Sequence, residues 1–324
     1  MAKKQPVLTP VQKSPVAEPD YAKVSFTRVD EVFAKAARAR PTALRVLAEG
    51  DSWFAYPRGG LLVGAPSNVV QQLQRIDRNP QLLIHDLSSN GDEAVAMVAG
   101  ASKLELLKRL SSREYDVLLF SGGGNDIVGM YDFDFFLNDY RQGFSAVDCL
   151  RLDRFERRLG QIMAAYQDLI DLTGDYAANK AIKIVSHTYD LAVPDPRGAQ
   201  FLGGLLKIDG ARSWMYPYLM DHGITDPNLQ KQVAAYMLGR FRDMMLALAN
   251  APESQGRFVV VDTHGTLKPA DWLNEIHPTP DGFLKIARRI YTQALVPLAR
   301  TPGALPRLAA ARKATASRPV ARKA

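Results

Sequence analysis

Ser52 stands in the run Gly50-Asp51-Ser52-Trp53, directly after the apolar stretch Ala43-Leu44-Arg45-Val46-Leu47-Ala48. A side chain in that place sits where a buried strand runs out into a loop, and its hydroxyl is a candidate nucleophile. A serine hydroxyl is barely nucleophilic by itself. It needs a base to take its proton and donors to hold the oxyanion that forms on an attacked carbonyl. The chain offers five histidines as bases. His85, His187 and His264 each close an apolar run, where a packing role is the commoner one, and His222 belongs to no motif. His277 precedes Pro278 and an amphipathic stretch carrying Phe283, Ile286, Ala287 and Ile290. Other chemistries are excluded. Gly122-Gly123-Gly124 lacks the Gly-Lys-Ser/Thr of a phosphate loop. Residue 54 is Phe, so the Gly-x-Ser-x-Gly elbow is absent. No His, Cys or carboxylate cluster has metal-ligand spacing, and no metal or cofactor is expected.

The elements that must position these groups alternate. Five short apolar runs read as strands: Ala43–Ala48, Leu82–Ile84, Asp116–Phe120, Ala181–Ser186 and Phe258–Asp262. Continuous apolar runs of this kind are buried on both faces. Between and after them lie helical stripes, among them Phe155, Leu159, Ile162, Tyr166 and Leu169, then Leu229, Val233, Met237, Phe241 and Leu248. Alternation predicts an α/β fold, a parallel sheet with right-handed crossovers and helices on both faces. In such sheets the working groups gather at the carboxyl ends of the strands, where Ser52, Gly91 and Asn125 all fall.

The predicted organisation is a disordered leader over 1–40 containing a short helix at 29–39, a domain over 41–300, and a basic disordered tail over 301–324. Two excursions, near 130–150 and 189–227, interrupt the core pattern and are rich in aromatics, so they read as a lid or substrate wall, with extra packing as the alternative. The net charge of +7 is mostly local: the tail carries six cationic residues and no acid, leaving +1 for the remainder. A solvated tail is the simple reading; contact with nucleic acid or an anionic surface is the alternative. One cysteine, no apolar core after Met-Ala-Lys-Lys and no transmembrane run point to a cytoplasmic protein.

Gly50-Asp51-Ser52, Gly91, Gly124-Asn125-Asp126 and His277-Pro278 occur in this order. Together they make the chain resemble the SGNH (GDSL) hydrolase family over roughly 44–299. The resemblance implies a three-layer α/β/α sandwich with a flavodoxin-like, five-stranded parallel sheet. It also implies serine esterase chemistry, with Ser52 as nucleophile and His277 as base. The oxyanion hole would comprise the backbone N–H of Ser52, the backbone N–H of Gly91 and the Asn125 side chain. The substrate would be a small-molecule or lipid ester, and aromatics near Ser52 favour an apolar acyl group. Alternatives are an acyltransferase on the same site or a non-catalytic binding protein that keeps the fold. Asp51 and Asp126 read as loop-stabilising residues.

The sequence departs from the family at one position. Three residues before the histidine, where the family carries aspartate, stands Asn274. An amide can fix the imidazole tautomer but cannot offset its charge. Asn274 is the expected third member, with Glu275 or Asp271 as alternatives, and an inactive site as the remaining one.

Overall fold

Opposite crossovers of one hand place helices on both sides of the sheet. The computed structural model describes residues 18–56, 67–76, 79–129, 132–196, 200–201, 206–207, 213–301 and 303–316. In chain order the strands are β1 (Phe26–Thr27), β2 (Leu44–Gly50), β3 (Leu82–Asp86), β4 (Val117–Ser121), β5 (Lys183–His187), β6 (Gln200–Phe201), β7 (Leu206–Lys207) and β8 (Phe258–Val261). Six form one parallel sheet in the order β1-β3-β2-β4-β5-β8, while β6 and β7 make a separate antiparallel ribbon. From β2 the chain moves outward to β3 through the helix Val69–Ile76. It returns past β2 to β4 through Gly100–Ser112, and continues through Leu152–Tyr176 and Pro227–Asn250. Because parallel crossovers are right-handed, reversing direction moves the helix to the other face. Gly100–Ser112 and Pro227–Asn250 both pack on Leu152–Tyr176, whereas Val69–Ile76 packs on Pro280–Ile290. The result is the three-layer α/β/α arrangement the alternation predicts.

Every residue of β3 and β4 is buried, which is why these strands read as unbroken apolar runs. With β1 set aside, the strand order is second-first-third-fourth-fifth, the flavodoxin-like one, whose ligand crevice opens between the first and third strands. Here those are β2 and β4, paired up to Gly50 and Ser121. The motif serine and the motif asparagine lie just beyond those two ends.

Three expectations are corrected. The leader is not disordered throughout. Its first part, 1–17, lies outside the described residues, but β1 pairs with β3 and makes a sixth strand. The short helix expected at 29–39 does form, over Asp30–Ala39, with Phe33, Ala36 and Ala37 buried. The Arg40 guanidinium donates to the carbonyls of Val24 and Leu82, stitching this segment to the sheet. The tail is not disordered from 301: Pro306–Ala316 is helical, with Leu305 and Leu308 buried. Arg307 docks it by pairing with the fully buried Asp116 and donating to the Ala43 carbonyl. Residues 317–324 lie outside the described residues. For the first excursion the alternative reading, extra packing, replaces the lid or wall, since Phe133, Phe136, Leu137 and Cys149 are buried and Leu137 bridges to Leu150. No helix among the described residues is long and apolar enough to cross a membrane.

Candidate active site

The end of β2 approaches β4 so closely that only glycine fits at position 50. A Cβ there would fall 2.8 Å from the Phe54 ring and 2.9 Å from Ser121. The chain then turns into the short helix Ser52–Ala55, capped by Asp51, whose Oδ1 accepts the Trp53 N–H at 2.9 Å. This turn presents Ser52 Oγ 2.8 Å from His277 Nε2. The two residues are 225 positions apart in the chain. Trp53 Nε1 donates to the Ile276 carbonyl at 3.1 Å, fixing the serine turn directly to the histidine loop.

His277 Nδ1 lies 3.2 Å from Asn274 Oδ1. The same oxygen accepts the backbone N–H of Ile276 at 3.2 Å and of His277 at 2.9 Å. Backbone N–H groups are donors without ambiguity, so the amide must present its oxygen here. Nδ1 is therefore the protonated nitrogen, and the Nε2 lone pair faces the Ser52 hydroxyl. The Tyr56 ring lies 4.2 Å from the imidazole and the Trp214 ring 5.2 Å away, edge-on. Burial pushes the His277 pKa down to about 3, so the resting ring is neutral.

Of the three residues considered for the third position, only Asn274 touches the imidazole. Asp271 faces the other way, accepting the Lys268 N–H and pairing with Lys285 at 2.6 Å. Glu275 is buried and accepts four backbone N–H groups. Trp214 and Met215 donate to Oε2, while Tyr216 and Asp195 donate to Oε1. It anchors the second excursion to the histidine loop, which is why Trp214 stands against His277. Burial raises its pKa to about 7 despite those four donors.

The expected oxyanion donors are brought together unequally. The Ser52 N–H makes no hydrogen bond among the described residues. Asn125 follows β4 and lines a cavity with Ser52; one hydrogen of its Nδ2 goes to the Asp92 carbonyl at 2.9 Å. That bond ties the β4 loop to the turn carrying Gly91. Gly91 is exposed, has a left-handed φ of 90° and does not line the Ser52 cavity. Asp126 holds the turn's far side by accepting the Ala94 N–H at 2.7 Å.

A buried network behind the serine has no sequence motif. Asp51 Oδ2 accepts the Tyr189 hydroxyl at 2.5 Å and Oδ1 accepts Ser121 Oγ at 3.0 Å. Ser121 Oγ also meets His187 Nε2 at 3.0 Å, and His187 Nδ1 accepts the Tyr189 N–H at 3.1 Å. Burial raises the Asp51 pKa to about 7 and lowers that of His187 to about 3. Tyr189 has a φ of 57°, a strained left-handed conformation costing on the order of 1–3 kcal/mol for a non-glycine residue. It persists because both backbone polar groups and the hydroxyl are bonded, the carbonyl by Thr263 Oγ1. The positive φ leaves no trace in sequence; the one usable signal was an aromatic two residues beyond an apolar strand. None of the rival histidines hydrogen-bonds Ser52 among the described residues. His85 meets the Tyr115 hydroxyl, His222 bridges Asp134 and Asp139, and His264 follows β8 with its backbone N–H on Asp262. Among the described residues no group of three His, Cys or carboxylate side chains is placed to hold a metal ion.

A scan against protein-family models finds no match, and a search of curated proteins finds none. Solved structures similar to the chain include a lipase from goat rumen metagenome, at 16% identity over 78% of this chain and 98% of that one, with a TM-score of 0.47. A candidate SGNH hydrolase from Slackia heliotrinireducens is 10% identical over 76% and 97%, with a TM-score of 0.41. An aryl esterase from M. smegmatis is 15% identical over 78% and 100%, with a TM-score of 0.40. At 10–16% identity these are likenesses of fold. The chain's chemistry is read from its own side chains.

Proposed function

We propose that the protein is a serine hydrolase of carboxylic esters. Ser52 Oγ attacks the acyl carbonyl while His277 Nε2 takes its proton. The imidazolium returns that proton to the departing alkoxide, leaving an acyl group on Ser52. Water, deprotonated by the same nitrogen, then releases the acid and restores the serine. The Ser52 N–H and the Asn125 amide are the oxyanion donors on this reading, and the Gly91 N–H is the third donor that the motif resemblance implies. Losing one such donor costs about 3 kcal/mol of barrier. The carrying observation is the relay from Ser52 Oγ through His277 to Asn274 Oδ1, at 2.8 and 3.2 Å, with the tautomer dictated by backbone donors.

A fluorophosphonate probe tests this directly. Labelling should map to Ser52 and disappear in Ser52→Ala and His277→Ala. Hydrolysis of a p-nitrophenyl ester should fall by on the order of 10,000-fold or more in either variant. A folded protein that neither labels nor hydrolyses would instead be a binding protein built on this fold.

A further inference from the structure

The cavity beside Ser52 measures about 30 Å³. Its apolar lining includes Trp53, Val128, Ala192, Leu238, Trp272 and Ile276, and Asp51, Ser52, Asn125, Tyr189 and Asp190 also border it. It meets the nucleophile and the asparagine amide but not His277. In acyl transfer the base must stand beside the leaving alcohol, and the oxyanion donors beside the carbonyl oxygen. A space that touches serine and donor but not base lies on the acyl side of the reacting carbon. One water-sized group needs roughly 10–15 Å³ of such space, so the cavity takes about two.

We propose that the site is selective for short acyl groups, acetyl and at most propionyl, on whatever alcohol they are carried. The proposal rests on the hydrolase reading and deepens it. The walls come from separate elements that are held in place. Val128 ends the helix Gly124–Val128, and Leu238 lies in the buried face of Pro227–Asn250. Tyr189 is fixed by its bond to Asp51. The aromatics that in sequence favour a larger apolar acyl group are used differently. Trp53 lies on the cavity and stacks on His187 at 5.2 Å, while Tyr56 covers His277, so these rings bound a small space instead of a long channel.

The test is a series of p-nitrophenyl esters (acetate, propionate, butyrate, octanoate) with one leaving group throughout, run on wild type, Val128→Ala and Leu238→Ala. Thermal melts establish that each variant is folded. Wild-type kcat/KM should be highest for acetate or propionate and fall by on the order of 10-fold or more for each methylene beyond the fit. Either truncation should move the optimum to a longer chain; the two positions lie on different helices, so loss of folding in one leaves the other decisive. Octanoate cleaved as fast as acetate, or folded variants with an unmoved optimum, overturns the size limit while leaving the hydrolase reading intact. A protein that cleaves none of these esters and takes no fluorophosphonate label removes both.

Discussion

With Asn274 Oδ1 on Nδ1, the imidazole of His277 is oriented but gains no compensating charge when Nε2 takes a proton. Orientation and tautomer are separable from charge, and two substitutions divide them. Asn274→Ala removes the acceptor for Nδ1 and for two backbone N–H groups, so kcat should drop about 10-fold or more, the worth of a neutral hydrogen bond in a reacting geometry. Asn274→Asp keeps the acceptor and adds a charge, which favours imidazolium and raises the His277 pKa. Only the neutral ring can act as base, so the sign is fixed. Wild type, with a His277 pKa of about 3, should hold its kcat well below pH 6.5, where an ordinary histidine is half protonated. The acid limb of the Asp variant should move up towards that value. Profiles of kcat against pH for the two proteins check this; a wild-type acid limb already at about 6.5 would remove the argument.

At the scale of elements, Glu275 joins the second excursion to the histidine loop, and its substitution separates anchoring from catalysis. Glutamine keeps the shape but has one carbonyl oxygen, so its NH₂ would face two of the four backbone donors. Each unsatisfied buried N–H costs about 1–3 kcal/mol. Glu275→Gln should lower the melting temperature and raise KM by loosening Trp214, with kcat much less affected. A loss confined to kcat would instead give Glu275 a direct part in the proton relay. The same elements divide into those the sequence made legible and those it did not. The five long strands are readable because burial, complete in β3 and β4 and nearly so in β2 and β5, leaves apolar runs, and the Ser52 and Asn125 turns are readable because short motifs mark strand ends. β1 is not, since two residues carry no periodicity. The tail helix was missed because composition counts Arg307 as a solvated cation, whereas its partner Asp116 waits 191 residues earlier at the foot of β4. Glu275 was placed near the histidine correctly in sequence, but the loop that claims its carboxylate comes from 60 residues away.

Across the whole molecule, buried titratable groups of two opposite kinds surround the sheet's carboxyl ends and set how stability varies with pH. Burial raises several carboxyls, three of them far: Asp51 from 3.8 to about 7, Glu49 from 4.5 to about 8 and Glu275 from 4.5 to about 7. Burial lowers four imidazoles from 6.5: His85 to about 4, His187 and His277 to about 3, and His264 in the same direction. For each carboxyl the folded state holds the proton more tightly than the unfolded one. The stability it confers is therefore full below the unfolded value and is lost as pH rises through the folded value. For each imidazole the folded state holds the proton less tightly, so stability is lost as pH falls from 6.5 towards the folded value. Between about pH 4.5 and 6.5 the two sets oppose one another. Above 6.5 the imidazoles contribute no further change and the carboxyls alone act, so stability should decline between about pH 6.5 and 8. Below about 4.5 the imidazoles dominate and stability should decline again. Melting temperatures measured from pH 4 to 9 should thus trace a plateau in the mildly acidic range with a fall on the alkaline side. Replacing Glu49 by glutamine, which removes the highest of the raised carboxyls without touching Ser52 or His277, should flatten that alkaline fall. A melting temperature that climbs steadily from pH 6.5 to 8 would mean that these carboxyls are ionised in the folded protein at lower pH than their burial dictates.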